Sequence, residues 1–320
     1  MQSNVLTINE LNEADVENIY TSALFLNQVT SPNYSRLSQQ YYVEYYDQSW
    51  TDLSVALEYK GEIKALFILY ADNNRSASFF TQPALIVTPE NASVELLAEI
   101  EGMFALVFNR LKKLNIAKIT VNNTHYIDAF VKLIESVEVK AAYVDLSLSL
   151  EEIKRNARKS YKSLINWGLK NFEIKVINQE SQDRQSFNQF MHFHREVAGR
   201  STRSDESWDI QYQMVCKGEA FVLQGFYNGR LVSASLITHS VSEAWYGVGV
   251  YDRALMAERL PLAHGLLFKA FDISKEKGIK TFIIGNISTL STEKEESIAK
   301  FKTGFTKSFV TTKHIDAYLK

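Results

Sequence analysis

His239, Glu243, Tyr246 and Lys302 are the side chains of this 320-residue sequence best suited to moving protons or holding charge. His239 and Glu243 flank a turn between two strands and could each take up a proton, directly or through water, or serve as solvated turn residues. Tyr246, or Tyr251 beside it, could return a proton, although with 16 tyrosines in the chain packing is the commoner duty. Lys302, close to Lys300, could stabilise negative charge or cover an exposed helix face.

A second chemistry is anion binding. The stretch AERLPLAHGLLFKAFDISKEKGIKTFIIGN reads as a helix begun at Pro261 that runs into a buried strand. Proline suits a first helical turn. The free N–H groups of Leu262, Ala263 and His264, next to Gly265, would then join the positive end of the helix dipole to hold a phosphate. Arg253 and Arg259 could add charge, and Asn286 closes the strand as a ligand donor or a turn former. In the preceding strand, EAWYGVGVYD, alternation sets Glu243, Trp245, Gly247 and Gly249 on one face and Tyr246, Val248 and Val250 on the other. Two glycines on one strand face mark close approach by a ligand or by a tightly packed helix. Upstream, GRSTRSDESWDIQYQ offers Arg200 and Arg203 for phosphate and Trp208 for stacking on a base or sugar. Lys159 belongs to a basic helix with Lys154, Arg155, Arg158 and Lys162, a second surface for anions or a solvated face. His192 and His194 are two apart and diverge on a helix, so no metal pair is expected there.

These residues need a scaffold. Periodicity predicts a helix over 12–29, an aromatic polar stretch, a strand pair joined at Lys60 to Glu62, and a strand near 77–80. A helix follows over 94–114, then the strand IAKITV, a short helix over 127–135 and the strand KAAYVDLSL. The second half opens with a helix capped by Ser149 and Glu152. It continues with a strand at 172–177, a helix over 183–198, a hairpin turning at Asn228 and Gly229, the glycine strand, the Pro261 helix, the strand KTFIIGN, a short helix and a closing strand. Element order repeats between the halves, with Ile116 matching Ile279 and Asn123 matching Asn286, which implies duplication of one mixed α/β unit.

Composition sets the outer bounds. With 46% hydrophobic and 22% charged residues the chain can bury two ordinary cores, and a net charge of -2 gives no global pull towards nucleic acid or anionic membrane. No uncharged apolar run is long enough to span a bilayer, and the N-terminus is not signal-like, so a cytoplasmic protein without membrane insertion is expected. A single cysteine, Cys216, excludes a disulfide framework and a cysteine-based zinc site.

The order of antiparallel strands, strand, helix and strand, ending in "N...KFKTGF", resembles the Gcn5-related N-acetyltransferase (GNAT) fold, and the tandem arrangement is similar to its FemAB-like branch. The basic helix KRNARKSYKSLINWGLK, the connection YDRALMAERLPLAHGLL and the lysine-rich KFKTGF carry the likeness. The resemblance implies an α/β fold of two tandem units, 1–148 (degenerate) and 149–320 (catalytic), each a mixed, mainly antiparallel sheet flanked by helices. It implies coenzyme A as the acyl-CoA co-substrate. Its pantetheine would lie on the main chain of Gly247, Val248, Gly249 and Val250, its pyrophosphate at Leu262 to Gly265 with Arg253 and Arg259, and Asn286 would bond the cofactor. The usual Gln/Arg-x-x-Gly-x-Gly/Ala loop is missing, and Lys300 stands where many such enzymes carry a tyrosine acid. Total length and the lack of an inserted arm are most like sugar N-acyltransferases of the FdhC type, whose acceptor is a nucleotide-linked amino sugar of surface polysaccharide. That reading involves no nucleic acid and no metal, and leaves the first unit to support the second or form a homodimer. An aminoacyl-tRNA-dependent transferase acting on a peptidoglycan precursor and a non-catalytic binding module are the alternatives.

Overall fold

Why the chain divides as it does follows from where its apolar faces find partners. The computed structural model describes residues 3–46, 49–288 and 292–320. Two compact units emerge. One comprises Met1–Val29, Tyr46–Glu138 and Thr312–Lys320, and the other Thr30–Tyr45 and Val139–Thr311. Relative to a single cut after residue 148, the segment 30–45 and the C-terminal nine residues fall on opposite sides.

The first unit begins with β1 (Ser3–Thr7), α1 (Glu13–Tyr20) and α2 (Ala23–Gln28). Periodicity predicts one helix here, but Ser22 accepts a bond from the Phe25 N–H and caps a second helix, breaking the run. The aromatic stretch that follows is helical, not irregular, as α3 (Arg36–Tyr45), and belongs to the second unit. Next come β2 (Thr51–Asp52), β3 (Val55–Tyr59), β4 (Glu62–Ile68), β5 (Tyr70–Ala71), β6 (Ser76–Ser78) and β7 (Leu85–Val87). β1-β3-β4-β7 form an antiparallel sheet. On it packs α4 (Val94–Lys113), whose Ile100, Phe104, Val107 and Leu111 recur at helical spacing and are fully buried. β8 (Lys118–Val121) is followed by β9 (Val131–Asp145). The short helix expected over 127–135 is therefore a turn and a strand. Val131, Ile134, Val137 and Val139 are β-branched, and their stiffness at χ1 favours the pleat over the helix.

The second unit opens with α5 (Leu150–Asn156), where Ser149 and Glu152 form the expected capping box, and α6 (Lys159–Asn171). β10 (Glu173–Ile177), α7 (Arg184–Ala198) and α8 (Asp205–Lys217) follow. α8 occupies most of the polar stretch GRSTRSDESWDIQYQ, for which periodicity gave no helix. Ser204 caps it and Asp205 and Glu206 favour its first turn, a start signal hidden by the surrounding hydroxyls. The chain continues through β11 (Ala220–Tyr227), β12 (Arg230–His239), β13 (Glu243–Tyr251), α9 (Arg253–Ala257), α10 (His264–Glu276), β14 (Thr281–Asn286), α11 (Glu293–Lys302) and β15 (Ser308–Leu319). Within this unit the strand order is β10-β11-β12-β13-β14-β9, and among the described residues only β13 and β14 of these are parallel neighbours. Phe221 and Leu223 point to the layer of α6 and α10, whereas Val222 joins that of α3, α7 and α8. The result is a mixed, mainly antiparallel sheet with helices on both faces.

Among the described residues no helix is long and apolar enough to cross a membrane, and no group of three or more His, Cys, Asp or Glu could hold a metal ion.

Candidate functional site

β13 is where the second unit departs from a regular sheet. Its register against β12 runs from Tyr251 opposite Ser233 to Val248 opposite Leu236, then jumps to Tyr246 opposite Ile237, leaving Gly247 as a bulge. The extra residue shifts side chains across the sheet, so strict alternation fails here. Tyr246 lies with Ala244 in the α10 layer, while Val248 and Val250 lie in the α8 layer. Gly249 is glycine for a definite reason. A Cβ there would stand 1.7 Å from the Tyr246 hydroxyl. The Tyr246 and Tyr251 hydroxyls share a hydrogen bond, and burial pushes both phenols up, so each keeps its proton.

On its other edge β13 pairs with β14 only through Glu243, Ala244 and Trp245. From Tyr246 onward no strand among the described residues pairs with that edge, so the two parallel strands part. One side of the opening carries main-chain groups of residues 246–251, with Gly247 and Gly249 exposed. The other is the end of β14, where Gly285 has φ 125° and Lys302 lies across it. A Cβ on Gly285 would sit 2.8 Å from Lys302 Nζ. Nζ donates to the Asn286 carbonyl at 2.9 Å, and burial pulls the ammonium below the usual lysine range. The Asn286 side chain accepts from the Ser288 N–H at 2.8 Å and its hydroxyl at 3.0 Å.

The start of α10 is built differently from the expected phosphate cradle. Its first residue is His264, not Pro261, and the Leu262 N–H turns back to Leu260 O at 3.0 Å. Gly265 meets Gly168 of α6 so closely that a Cβ on either would stand within 2.8 Å of the other's backbone. The His264 ring lies against Tyr161, Phe301 and Phe305, with centroids at 4.4, 5.6 and 5.7 Å, and burial holds its pKa at about 4. Ala263 is half-buried, while Arg253 and Arg259 are exposed.

His239 and Glu243 lie at the closed end of β13, where it still pairs with β14. His239 Nδ1 faces Ser240 O at 3.1 Å and burial lowers its pKa. The Glu243 carboxylate accepts from Trp245 Nε1 and is pushed up by burial. Of the acceptor-side residues, Trp208 is only 1% exposed, packed by Phe190 and His194, so its faces are not open to a base or sugar. Arg203 donates to Tyr41 Oη at 3.0 Å and to His194 Nε2 at 3.1 Å, with its guanidinium over Trp208. Arg200 and Lys159 are exposed. The structure thus brings Tyr246, Gly247, Gly249, Lys302 and Asn286 to one opening, keeps His239 and Glu243 at the other end of the strand, and places Arg203 and Trp208 in a packed layer. Sequence reasoning missed Gly285 and the Gly168–Gly265 crossing. KTFIIGN carried the signal for Gly285, a glycine inside a strand.

No protein-family profile matches the sequence, and no curated protein matches it. Solved structures do. FemX matches with TM-score 0.64 and 10% identity, over 100% of this chain and 98% of that one. L-PGS from Bacillus licheniformis matches at 0.54 and 15%, over 84% of each chain. A tandem GNAT protein from the clavulanic acid biosynthesis pathway matches at 0.52 and 10%, over 99% of this chain and 98% of that one. At these identities what is shared is the fold, and the chain shares it both with FemX and with the tandem GNAT protein.

Proposed function

We propose that this protein is an N-acyltransferase working at the opening between β13 and β14. The observation that carries the reading is the parting of these strands after Trp245, with a lysine lying over the end of one and an unpaired edge left on the other. An extended arm bearing amides can add to such an edge as a strand would. Coenzyme A has that arm, so acyl-CoA is the donor, its pantetheine running along Gly247, Val248, Gly249 and Val250.

The amine nitrogen attacks the thioester carbonyl, the C–S bond breaks, the nitrogen loses a proton and the thiolate gains one. Lys302 supplies positive charge where the carbonyl oxygen becomes an anion. Tyr246, held protonated by burial, can give the proton to the thiolate. Glu243, whose raised pKa suits a proton acceptor, and His239 are the candidates for relaying the amine's proton away through water. For the acceptor we propose a nucleotide-linked amino sugar of the dTDP-3-amino-3,6-dideoxyhexose type, in line with the likeness in length to sugar N-acyltransferases. Exposed Arg200 and Lys159 are the cations for its phosphates.

A second reading, transfer from an aminoacyl-tRNA, is favoured by the closed start of α10. Packing of Gly265 on Gly168 leaves less room there for a coenzyme A pyrophosphate. A panel of acyl-CoA donors against 3-amino and 4-amino nucleotide sugars, read by mass spectrometry, separates the two. An N-acylated sugar is expected. Product from aminoacyl-tRNA alone, with a steep salt dependence of RNA binding, would replace the first reading with the second.

A further inference from the structure

The bulge at Gly247 decides which side chains share a face of β13. In a regular strand Tyr246 would point away from Gly249 and Tyr251. With the extra residue it turns to their side, and its hydroxyl meets that of Tyr251 above Gly249. A Cβ on Gly249 would stand 2.9 Å from the Tyr251 oxygen, so the missing side chain is the space that the two hydroxyls use. Directly across the pairing from Gly249 stands Ser235 of β12, which is fully buried. Its Oγ lies beside both phenols and has no hydrogen-bond partner outside that trio among the described residues. A buried hydroxyl left idle costs stability, and alanine would fill the same place without that cost. Three hydroxyls thus converge on one point in the wall of the β13–β14 opening.

Two neutral phenols hold two protons and one bond between them, so one O–H is free to point elsewhere. When Tyr246 gives its proton to the departing thiolate, its oxygen is left as a phenolate where water reaches poorly, and an unmatched charge there is costly. We propose that Tyr251 and Ser235 are positioning residues, which donate hydrogen bonds to Tyr246 Oη and hold its phenolate while the thiolate takes the proton. The S–H bond forms as the Tyr246 O–H bond breaks. Tyr251 and Ser235 keep their own protons, and Tyr246 regains one from water, which has taken up the proton lost by the amine nitrogen. The inference rests on the acyl-transfer reading and deepens it, by assigning the groups that make Tyr246 an effective acid.

Steady-state kinetics with the acyl-CoA that yields amide test it on the full chain, comparing the wild type with Tyr246→Phe, Tyr251→Phe, Ser235→Ala and the double variant Tyr246→Phe/Tyr251→Phe. Thermal midpoints confirm that each folds; should Tyr251→Phe not fold, Ser235→Ala combined with Tyr246→Phe completes the same cycle. Tyr251→Phe should lower kcat about ten-fold and Ser235→Ala about three-fold, with KM held within about two-fold in both. The double variant should be no slower than Tyr246→Phe alone, because Tyr251 acts only through Tyr246. A purely structural role would give losses that add. Unchanged kcat in Tyr251→Phe or Ser235→Ala, a rise in KM in its place, or additive losses in the double variant overturns the proposal and leaves acyl transfer intact. Absence of amide from the wild type with every acyl-CoA overturns both.

Discussion

Lys302 carries its charge where water reaches it poorly, and it has no carboxylate partner among the described residues. Holding a cation there costs stability, which is tolerable where the charge has work to do. Lys302→Met should lower turnover by about 10²-fold, the scale for losing one donor to a developing oxyanion, while the thermal midpoint holds or rises. Unchanged turnover would remove Lys302 from the mechanism. A different residue-scale effect concerns pH. His194 and His264 are half-buried, and the loss of water around them brings their pKa values down to about 4, against an ordinary 6.5. Between those values the unfolded chain binds protons that the native chain does not, so their contribution to stability is complete above 6.5 and is lost as pH falls through about 4. Urea midpoints should fall from pH 7 to pH 5, and His264→Phe, which suits the surrounding aromatic rings, should make that fall shallower. An identical fall in the variant would show that His264 is not what senses the acid.

Elements explain what single residues cannot, above all the glycines. Gly265 was legible in the sequence as a glycine near a helix start, and ligand approach was the natural reading. In the structure it is the contact point of two helices, with backbone 2.7 Å from where its Cβ would be. Gly265→Ala should cost about 3 kcal/mol in urea unfolding, the upper end for overpacking, since backbone cannot step aside. Gly102 in α4 faces open space, and there Gly102→Ala should stabilise by about 1 kcal/mol through helix propensity alone. Equal effects at the two positions would contradict the helix crossing. The succession of strands in the second unit, its hairpin at Asn228 and Gly229, and the glycine strand itself were readable from period and turn chemistry, whereas α8 and α9 were not. Two further kinds of feature were not. Gly247 marks a possible bulge, but the alternating pattern does not show whether the register shifts there, and the face carrying Tyr246 changes because it does. Distance between residues far apart in sequence, as with Gly168 and Gly265 or Lys302 and Gly285, is set by packing and has no local signal.

At the scale of the molecule, the opening between β13 and β14 belongs to the second unit of a fold shared with a tandem GNAT protein. The first unit repeats the strand hairpin and the long helix, but its β4 is followed by the short strands β5 and β6, with no equivalent of the bulged glycine strand among the described residues. We expect it to add no second donor site. If acyl-CoA lies along β13, it should protect the protein against thermal unfolding in proportion to its concentration. The most direct measurement is amide hydrogen exchange with and without acyl-CoA, resolved to peptides covering residues 246–251. Slower exchange there, with the first unit unaffected, is what the account predicts. Unaltered exchange across those residues at a donor concentration that supports turnover would contradict it.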